Sequence, residues 1–394
     1  MPLINRYVLI ELLTVFLIAL SAMTIFMLLF GVGKEMVSQG LGAAQVVRIL
    51  PYLLPEALRY AVPGTILFAA CSVYGRMASS NEVVAIKSLG ISPMKILWPV
   101  FVFTFVLSLA TVWLNDLAVS WGRTGVQRVV IDSAADIIYS MLRSQKSYST
   151  KQFSMNVLGV EGRKLIRPTL TFQSRGDSPA VTVTAEEGEI RSNADDNTLH
   201  IQFRNGTIDV GGNVTISFAQ DERIIPLSEA SLKGDASGSP SQLPLRIIPD
   251  EIVAQQKRIS DQEQLMAAEA GCQMLTGDFT ALASSNWELA RSGLKDQRDR
   301  LFRLYTEPHR RWANGFSCLC FVVIGAPVAI RFRRAEFLTC FFICFLPILL
   351  IYYPLLALGV DRAKSGGFPP HAVWLGNVIL LICGAWHLRH VQRY

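Results

Sequence analysis

The sequence predicts an α-helical membrane protein with six transmembrane helices, three on either side of an inserted extracytoplasmic β-domain. The first observation is composition: 51% of the 394 residues are hydrophobic, and the mean hydropathy is +0.34. The second is a change of period, because the residues between the third and fourth long apolar runs alternate apolar and polar side chains as strands do. Such a chain is too apolar for an ordinary soluble protein.

Six apolar runs are long enough, at about 18 residues or more, to cross the hydrocarbon core of a bilayer. They are Tyr7–Phe30, Ala57–Tyr74, Ile96–Leu114, Trp312–Ile330, Phe337–Leu356 and Ala372–Leu388. The first run is longer than the apolar part of a signal peptide, and residues 31–35 offer no A-x-A cleavage site. We therefore expect it to remain as an anchor.

Basic residues predict the orientation, because short cytoplasmic loops carry an excess of lysine and arginine. With a cytoplasmic N-terminus, the inner set is Arg6, Arg76, Lys87, Lys95, Arg331, Arg333, Arg334, Arg389 and Arg393, and the outer set is Lys34, Arg48, Arg362 and Lys364. We therefore expect both termini in the cytoplasm and residues 116–307 outside. That outer segment has 21 basic and 25 acidic residues, so the net charge of +6 belongs to the membrane edges and does not indicate nucleic-acid binding.

No set of residues resembles a catalytic, cofactor or metal site. The sequence lacks H-E-x-x-H, G-x-S-x-G and nucleotide-binding motifs, so any energy source has to come from outside this chain. Six of the seven cysteines fall in apolar runs, and we expect Cys340 and Cys344, which share a helix face, to be packing residues. Cys272 is the single cysteine of the outer segment, which therefore has no internal disulfide.

The outer segment divides into two parts. Short alternating strands recur at roughly ten-residue spacing over residues 145–235, which predicts a β-sandwich or jelly roll. Residues 195–197, Asn205–Gly206 and residues 211–213 are predicted as turns between strands. Residues 249–305 are polar with leucines at helical spacing, and this helical return either packs on the sandwich or goes back to the membrane.

Between the second and third apolar runs, residues 76–95 predict a short ordered helix at the membrane edge. Residues 79–81 can cap its N-terminus, and Glu82 then lies in the first turn, where a carboxylate favours the helix dipole. Gly90 suits the position after the helix, and Ser92 begins the next one. The apolar side consists of Val83, Val84, Ile86 and Leu89. This pattern fits either a contact for a cytoplasmic partner or an interfacial helix on lipid headgroups.

Three cations near the predicted outer helix ends are candidate ligands for an anionic lipid. Lys34 follows the first apolar run, and Arg310 and Arg311 precede the fourth. A base at headgroup level can pair with lipid phosphate, although Lys34 suits a plain interface anchor equally well. On the inner side we expect Glu11 to reach water or to pair with Arg6 rather than to relay protons.

Together these features resemble the LptF/LptG (YjgP/YjgQ) family of lipopolysaccharide export permeases over essentially the full chain. The resemblance rests on the three-plus-three topology and on short motifs in the family's order. These motifs are Arg6–Tyr7 with Glu11, the prolines of the second helix, Glu82-x-x-Ala85-x-x-x-x-Gly90-Ile91-Ser92 with Pro99, the alternation of Ala185–Ile208, and Glu307-x-x-Arg310-Arg311.

The resemblance implies a permease subunit of an ABC-type transporter that extracts lipopolysaccharide or a related anionic glycolipid from the inner membrane. The implied partners are an LptB-like ATPase dimer, a second LptF/LptG-like chain that encloses one cavity with this one, and LptC- and LptA-like periplasmic bridge proteins. The residues it assigns to ATPase coupling are Arg76, Glu82, Val83, Ala85, Ile86, Leu89 and Gly90, and it places a lipid-binding base at Lys34. Arg310 and Arg311 are added as lipid-binding candidates because they are basic and lie near the predicted outer mouth.

The predicted layout places the transmembrane helices in residues 1–115 and 308–394, a coupling helix near 80–90, and the outer domain in residues 116–307. Two other function classes stay open at this point. A membrane sensor or scaffold would bind an envelope ligand through the outer domain, but no predicted cytoplasmic part is larger than a loop. An enzyme acting on envelope lipids would need the catalytic set that the sequence lacks.

Overall fold

The apolar runs and the alternating segments form separate helices and strands in the computed structural model. It describes residues 3–39, 43–123, 125–126, 128–129, 134–149, 153–172, 181–193, 198–210, 214–226, 239–277, 285–332 and 337–393. We label the helices α1 (Leu3–Gln39), α2 (Ala43–Ser79), α3 (Glu82–Ser88), α4 (Met94–Leu117), α5 (Ala134–Gln145), α6 (Ile248–Thr276), α7 (Ser285–Arg331), α8 (Phe337–Pro347), α9 (Tyr353–Lys364) and α10 (Leu375–Arg393). A π-helical turn, Ala118–Arg123, follows α4, a second, Ile348–Tyr352, joins α8 to α9, and a 3₁₀ turn, Pro370–Trp374, precedes α10.

Six helical spans in the described ranges are long and apolar enough to cross a membrane. They are Leu3–Gly33, Val46–Ser79, Met94–Arg123, Trp287–Arg331, Leu338–Lys364 and Pro370–Gln392. Each contains or overlaps one of the six apolar runs, so the predicted number and order of transmembrane helices are confirmed.

Close helix packing depends on glycine at two points of α7 and α10. A Cβ added at Gly315 of α7 would lie 2.3 Å from Val112 Cγ2 of α4, and one at Gly384 of α10 would lie 2.9 Å from the Val323 carbonyl oxygen of α7. Small residues let helix backbones approach closely in a membrane, where no hydrophobic force drives helices together. These two glycines therefore allow α4 and α10 to pack closely against α7.

In its described residues, the β-domain forms one antiparallel sheet of eight strands. They are β1 (Ser147–Ser149), β2 (Phe153–Asn156), β3 (Gly159–Glu161), β4 (Lys164–Ile166), β5 (Thr169–Phe172), β6 (Val181–Asn193), β7 (Thr198–Val210) and β8 (Val214–Pro226). One edge of β6 pairs with β5 and then β4, its other edge pairs with β7, and β7 pairs with β8. Alternate residues such as Met155, Leu170 and Val183 are buried, as their period of two requires. The predicted fold class, with this domain between the third and fourth spans, is confirmed.

The predicted turn at Asn205–Gly206 is wrong, because both residues lie inside β7. Asn205 has φ +49°, a backbone conformation that is usual in turns, which accounts for the turn-like composition. A Cβ on Gly206 would lie 2.4 Å from the Thr184 carbonyl oxygen and 2.6 Å from the Phe218 ring. Gly206 therefore allows β7 to lie close to β6 and to the Phe218 side chain of β8, where a larger residue would clash. The turns predicted at residues 195–197 and 211–213 lie outside the described residues.

The chain forms two compact units: residues 1–28, 54–120 and 240–394 make the helical unit, and residues 29–53 and 121–239 make the other. Within the helical unit, α6 and the polar half of α7 form an antiparallel hairpin. Buried Gln255 donates to the side chain of Gln297, and Arg298 pairs with Glu263 at 2.7 Å. The first part of the predicted helical stretch 249–305 is thus α6, which packs along the polar half of α7. The second part of the stretch belongs to α7, and this helix continues into the fourth span.

Candidate functional site

The short helix α3 ends where its sequence predicts, but its N-terminus differs from the prediction. Gly90 has φ +77°, its N–H donates to the Lys87 carbonyl at 2.9 Å, and the Ile91 N–H donates to the Ile86 carbonyl at 3.3 Å. This bond pair is a Schellman motif, which stops a helix after one residue of left-handed backbone. At the other end Asn81 precedes the helix with φ +59° and without a side-chain cap, so the expected capping bond is absent there.

The two sides of α3 differ sharply in exposure. Val83 is buried and Ile86 packs beside it against the apolar core of the helical unit. Val84, Ala85 and Leu89 face outward, and Leu89 is 75% exposed. The predicted coupling residues therefore separate into a pair that anchors the helix and a set that presents apolar surface.

Arg76, in the last turn of α2, joins three elements at this end of the unit. Its Nε and Nη2 donate to the two carboxylate oxygens of Glu11 at 2.7 and 2.5 Å, and Nη2 also donates to the Tyr7 hydroxyl at 2.8 Å. Its Nη1 lies 3.3 Å from Glu82 Oε1, which also accepts from the Ser80 hydroxyl. Of the two predicted alternatives for Glu11, contact with water or a pair with Arg6, the pair with Arg6 is wrong, because both carboxylate oxygens of Glu11 accept from Arg76. We call these residues the Arg76 cluster.

A second anchor holds the far end of α3. The Lys87 ammonium donates to the Val391 carbonyl oxygen of α10 at 2.9 Å, in the last turn of that helix. Cations are favoured at helix C-termini because the final carbonyls lack partners within the helix. The helix α3 is thus tied to α10 as well as to α1 and α2.

An apolar groove of about 780 Å³ opens in the helical unit. Its lining consists of Val15, Ile18, Ala19, Ala22, Met23 and Phe26 from α1, Gly64, Thr65 and Phe68 from α2, and Phe341 and Phe345 from α8. The Thr65 hydroxyl donates back to the Ala61 carbonyl at 2.8 Å, so it offers little polarity to the groove. The groove suits an apolar chain or helix.

The start of the fourth span holds a buried ion cluster. Arg311 pairs with Asp116 of α4 at 3.0 Å and with Glu307 at 3.3 Å, and it donates to the Leu243 carbonyl at 2.7 Å. The side chains of Arg311 and Glu307 are only 3% and 1% exposed. Arg310 also pairs with Glu307, at 2.5 Å, but is 30% exposed. We call these residues the Arg311 cluster.

The predicted lipid ligands thus differ in their surroundings. Arg311 is committed to protein partners on α4 and on the segment before α6, whereas Arg310 keeps an exposed part. Lys34 belongs to α1, but its side chain lies outside the described residues. Sequence reasoning did not find the roles of Asp116 and Lys87, whose partners lie far away along the chain. The four-residue spacing of Tyr7 and Glu11, on one face of α1, was the available sign that they act together.

None of the curated proteins matches the chain. The family model described as "Lipopolysaccharide export system permease LptF/LptG" matches residues 6–390, nearly the whole chain. Together with its six apolar spans, this match shows a multi-pass inner-membrane permease, and the chain belongs to the LptF/LptG family of lipopolysaccharide export permeases.

Proposed function

We propose that this chain is one permease half of an ATP-driven transporter that extracts lipopolysaccharide or a related anionic glycolipid from the inner membrane. The observation that carries the ATP-driven part is α3, whose outward side is apolar while its inward side is fixed by Val83 and Ile86. The chain has no nucleotide-binding motif, so hydrolysis belongs to a separate ATPase.

In this proposal the exposed side chains Val84, Ala85 and Leu89 form the contact with an LptB-like ATPase dimer. An amphipathic helix that inserts apolar side chains into a groove is a common recognition mode. Glu82 and Arg76 lie at the start of this surface, and Gly90 ends it. A helix held at both ends is suited to passing on the movement of a bound partner.

The cargo proposal uses the apolar groove and two cations. The groove between α1, α2 and α8 is lined almost wholly by hydrocarbon and would receive acyl chains. Arg310 and Lys34 are the proposed ligands for lipid phosphate, because a guanidinium or ammonium pairs strongly with phosphate oxygens. Arg311 is left out of this set, since releasing it would leave Glu307 buried with fewer partners.

The proposed arrangement places both termini in the cytoplasm and the β-domain in the periplasm, where LptC- and LptA-like proteins would receive the lipid. It rests on the nine inner and four outer basic residues. A second LptF/LptG-like chain would lie along α1, whose side chains, such as Leu17 and Ile25, are largely exposed. The domain limits remain residues 1–115, 116–307 and 308–394.

The experiment replaces exposed apolar side chains of α3 without touching its anchors. In Val84→Asp with Leu89→Asp, we expect the affinity for a purified LptB-like ATPase to fall by about tenfold or more, because an unpaired carboxylate at an interface is costly to desolvate. Affinity is measured by co-purification and titration in mild detergent. The control is Val253→Asp, an exposed valine on α6. Unchanged ATPase affinity in the double variant would leave α3 as a helix resting on lipid headgroups.

A further inference from the structure

The Arg76 cluster connects the proposed ATPase contact with the wall of the apolar groove. Tyr7 and Glu11 belong to α1, the helix that supplies more than half of the groove lining. Glu82 belongs to α3. Arg76 is the residue that bonds to both helices.

The bonds that Arg76 makes to Glu11 and to Glu82 differ in number and in length. Glu11 receives a bidentate pair at 2.7 and 2.5 Å, which fixes orientation as well as distance. Glu82 receives one longer contact of 3.3 Å. The strong bond thus runs between α2 and α1, and the weaker bond runs to α3. With an Arg76 side chain that is 46% exposed, water can replace the weaker bond at small cost.

Apolar packing by itself would hold α1 against α2 without fixing the rotation of one helix relative to the other. At this end Val8 and Leu12 of α1 pack in the same core as Val73 and Met77 of α2. Van der Waals contacts of this kind are non-directional, so one helix can roll on the other until a directional bond stops it. Arg76 supplies that directional bond.

We propose that Arg76 is a positioning residue that transmits displacement of α3 to α1, and so couples the ATPase contact to the groove. This inference rests on the proposed function, because it takes α3 as the ATPase contact. A displacement of α3 moves Glu82, which contacts Arg76. Arg76 in turn bonds to Tyr7 and Glu11, so the displacement is passed to α1.

The test uses the complete complex with its ATPase in proteoliposomes that contain lipopolysaccharide. In Arg76→Lys, which keeps the charge but loses the two-pronged bond, we expect lipopolysaccharide released per ATP hydrolysed to fall about tenfold. ATPase affinity is titrated in parallel, so that the release ratio is compared at full ATPase occupancy. Tyr7→Phe, which loses one bond, should give a smaller fall. The matched control is Arg59→Lys, because Arg59 lies on the same helix and, within the described residues, its side chain bonds to Glu56 and Tyr60 of that same helix.

A charge exchange separates transmission from simple structural support. Arg76→Glu combined with Glu11→Arg restores an α1–α2 ion pair, but it sets two carboxylates, at positions 76 and 82, against each other. We expect the exchanged protein to unfold at the same temperature as the unmodified protein and still to release little lipid per ATP. Full recovery of release would overturn the transmission role, as would an unchanged ratio in Arg76→Lys with normal ATPase affinity. Failure of the unmodified chain to bind the ATPase would overturn the proposed function itself.

Discussion

Two arginine–glutamate clusters lie in the same helical unit and differ in burial and in what they join. In the Arg311 cluster the side chains of Arg311 and Glu307 are buried, and the cluster joins α7 to α4 and to the segment before α6. In the Arg76 cluster the side chains of Arg76 and Glu11 are 46% and 23% exposed, and the cluster joins α1, α2 and α3. Both use a guanidinium with two carboxylates, so their chemistry is alike.

The difference in burial indicates which cluster can rearrange. A buried pair cannot open without leaving a charge unpaired in a low dielectric, which costs several kcal/mol. A half-exposed pair exchanges its partner for water at a cost of about 1 kcal/mol or less. The Arg311 cluster therefore suits fixed architecture, and the Arg76 cluster suits a joint.

The largest effect is expected from Arg311→Met. The substitution removes the main partner of Asp116 and one partner of Glu307, and we expect a loss of about 3–5 kcal/mol of stability. Thermal unfolding of the purified protein in detergent measures it. Arg310→Met is the control, since Arg310 is more exposed and leaves Arg311 beside Glu307. Equal losses in the two variants would contradict the burial argument.

A smaller effect is expected from the glycines next to each cluster. Gly315, one turn after Arg311, has no room for a Cβ against Val112, so Gly315→Ala should cost about 1–3 kcal/mol. Gly75, beside Arg76, has nothing within 4 Å of an added Cβ, so Gly75→Ala should be neutral or stabilise by up to about 1 kcal/mol through helix propensity. The unfolding temperatures of both variants provide the comparison. Loss of stability in Gly75→Ala would show that the α2 end is as tightly packed as the α7 end.

The smallest effect is expected at an exposed pair in the β-domain, Glu222 with His200. The hydrogen bond from His200 Nδ1, at 2.9 Å, lowers the pKa of Glu222 below its ordinary value. Stability from this bond is therefore present above the unfolded-state pKa of Glu222 and is lost as pH falls through the lower folded-state pKa. We expect Glu222→Gln to flatten the decline of unfolding temperature between about pH 5 and pH 3. An identical decline in the unmodified protein and the variant would contradict the linkage.

The sequence by itself determined the elements whose cause is local. Runs of apolar residues produced the six spans because a bilayer requires about 20 such residues per helix. Alternation produced β6–β8 because side chains of a strand point to opposite faces. Gly90 ended α3 because a left-handed residue is cheapest for glycine. The family motifs also lie along short stretches, and the family match confirms the resemblance.

Only the tertiary structure decided what the charged residues do. Arg310 and Arg311 are neighbours of the same type, yet one is partly exposed and the other is enclosed by Asp116 and Glu307. Glu11 pairs with Arg76, 65 positions away, rather than with nearby Arg6. The energy of a charge depends on burial and on partners brought together by packing, and neither quantity is a property of the neighbouring sequence.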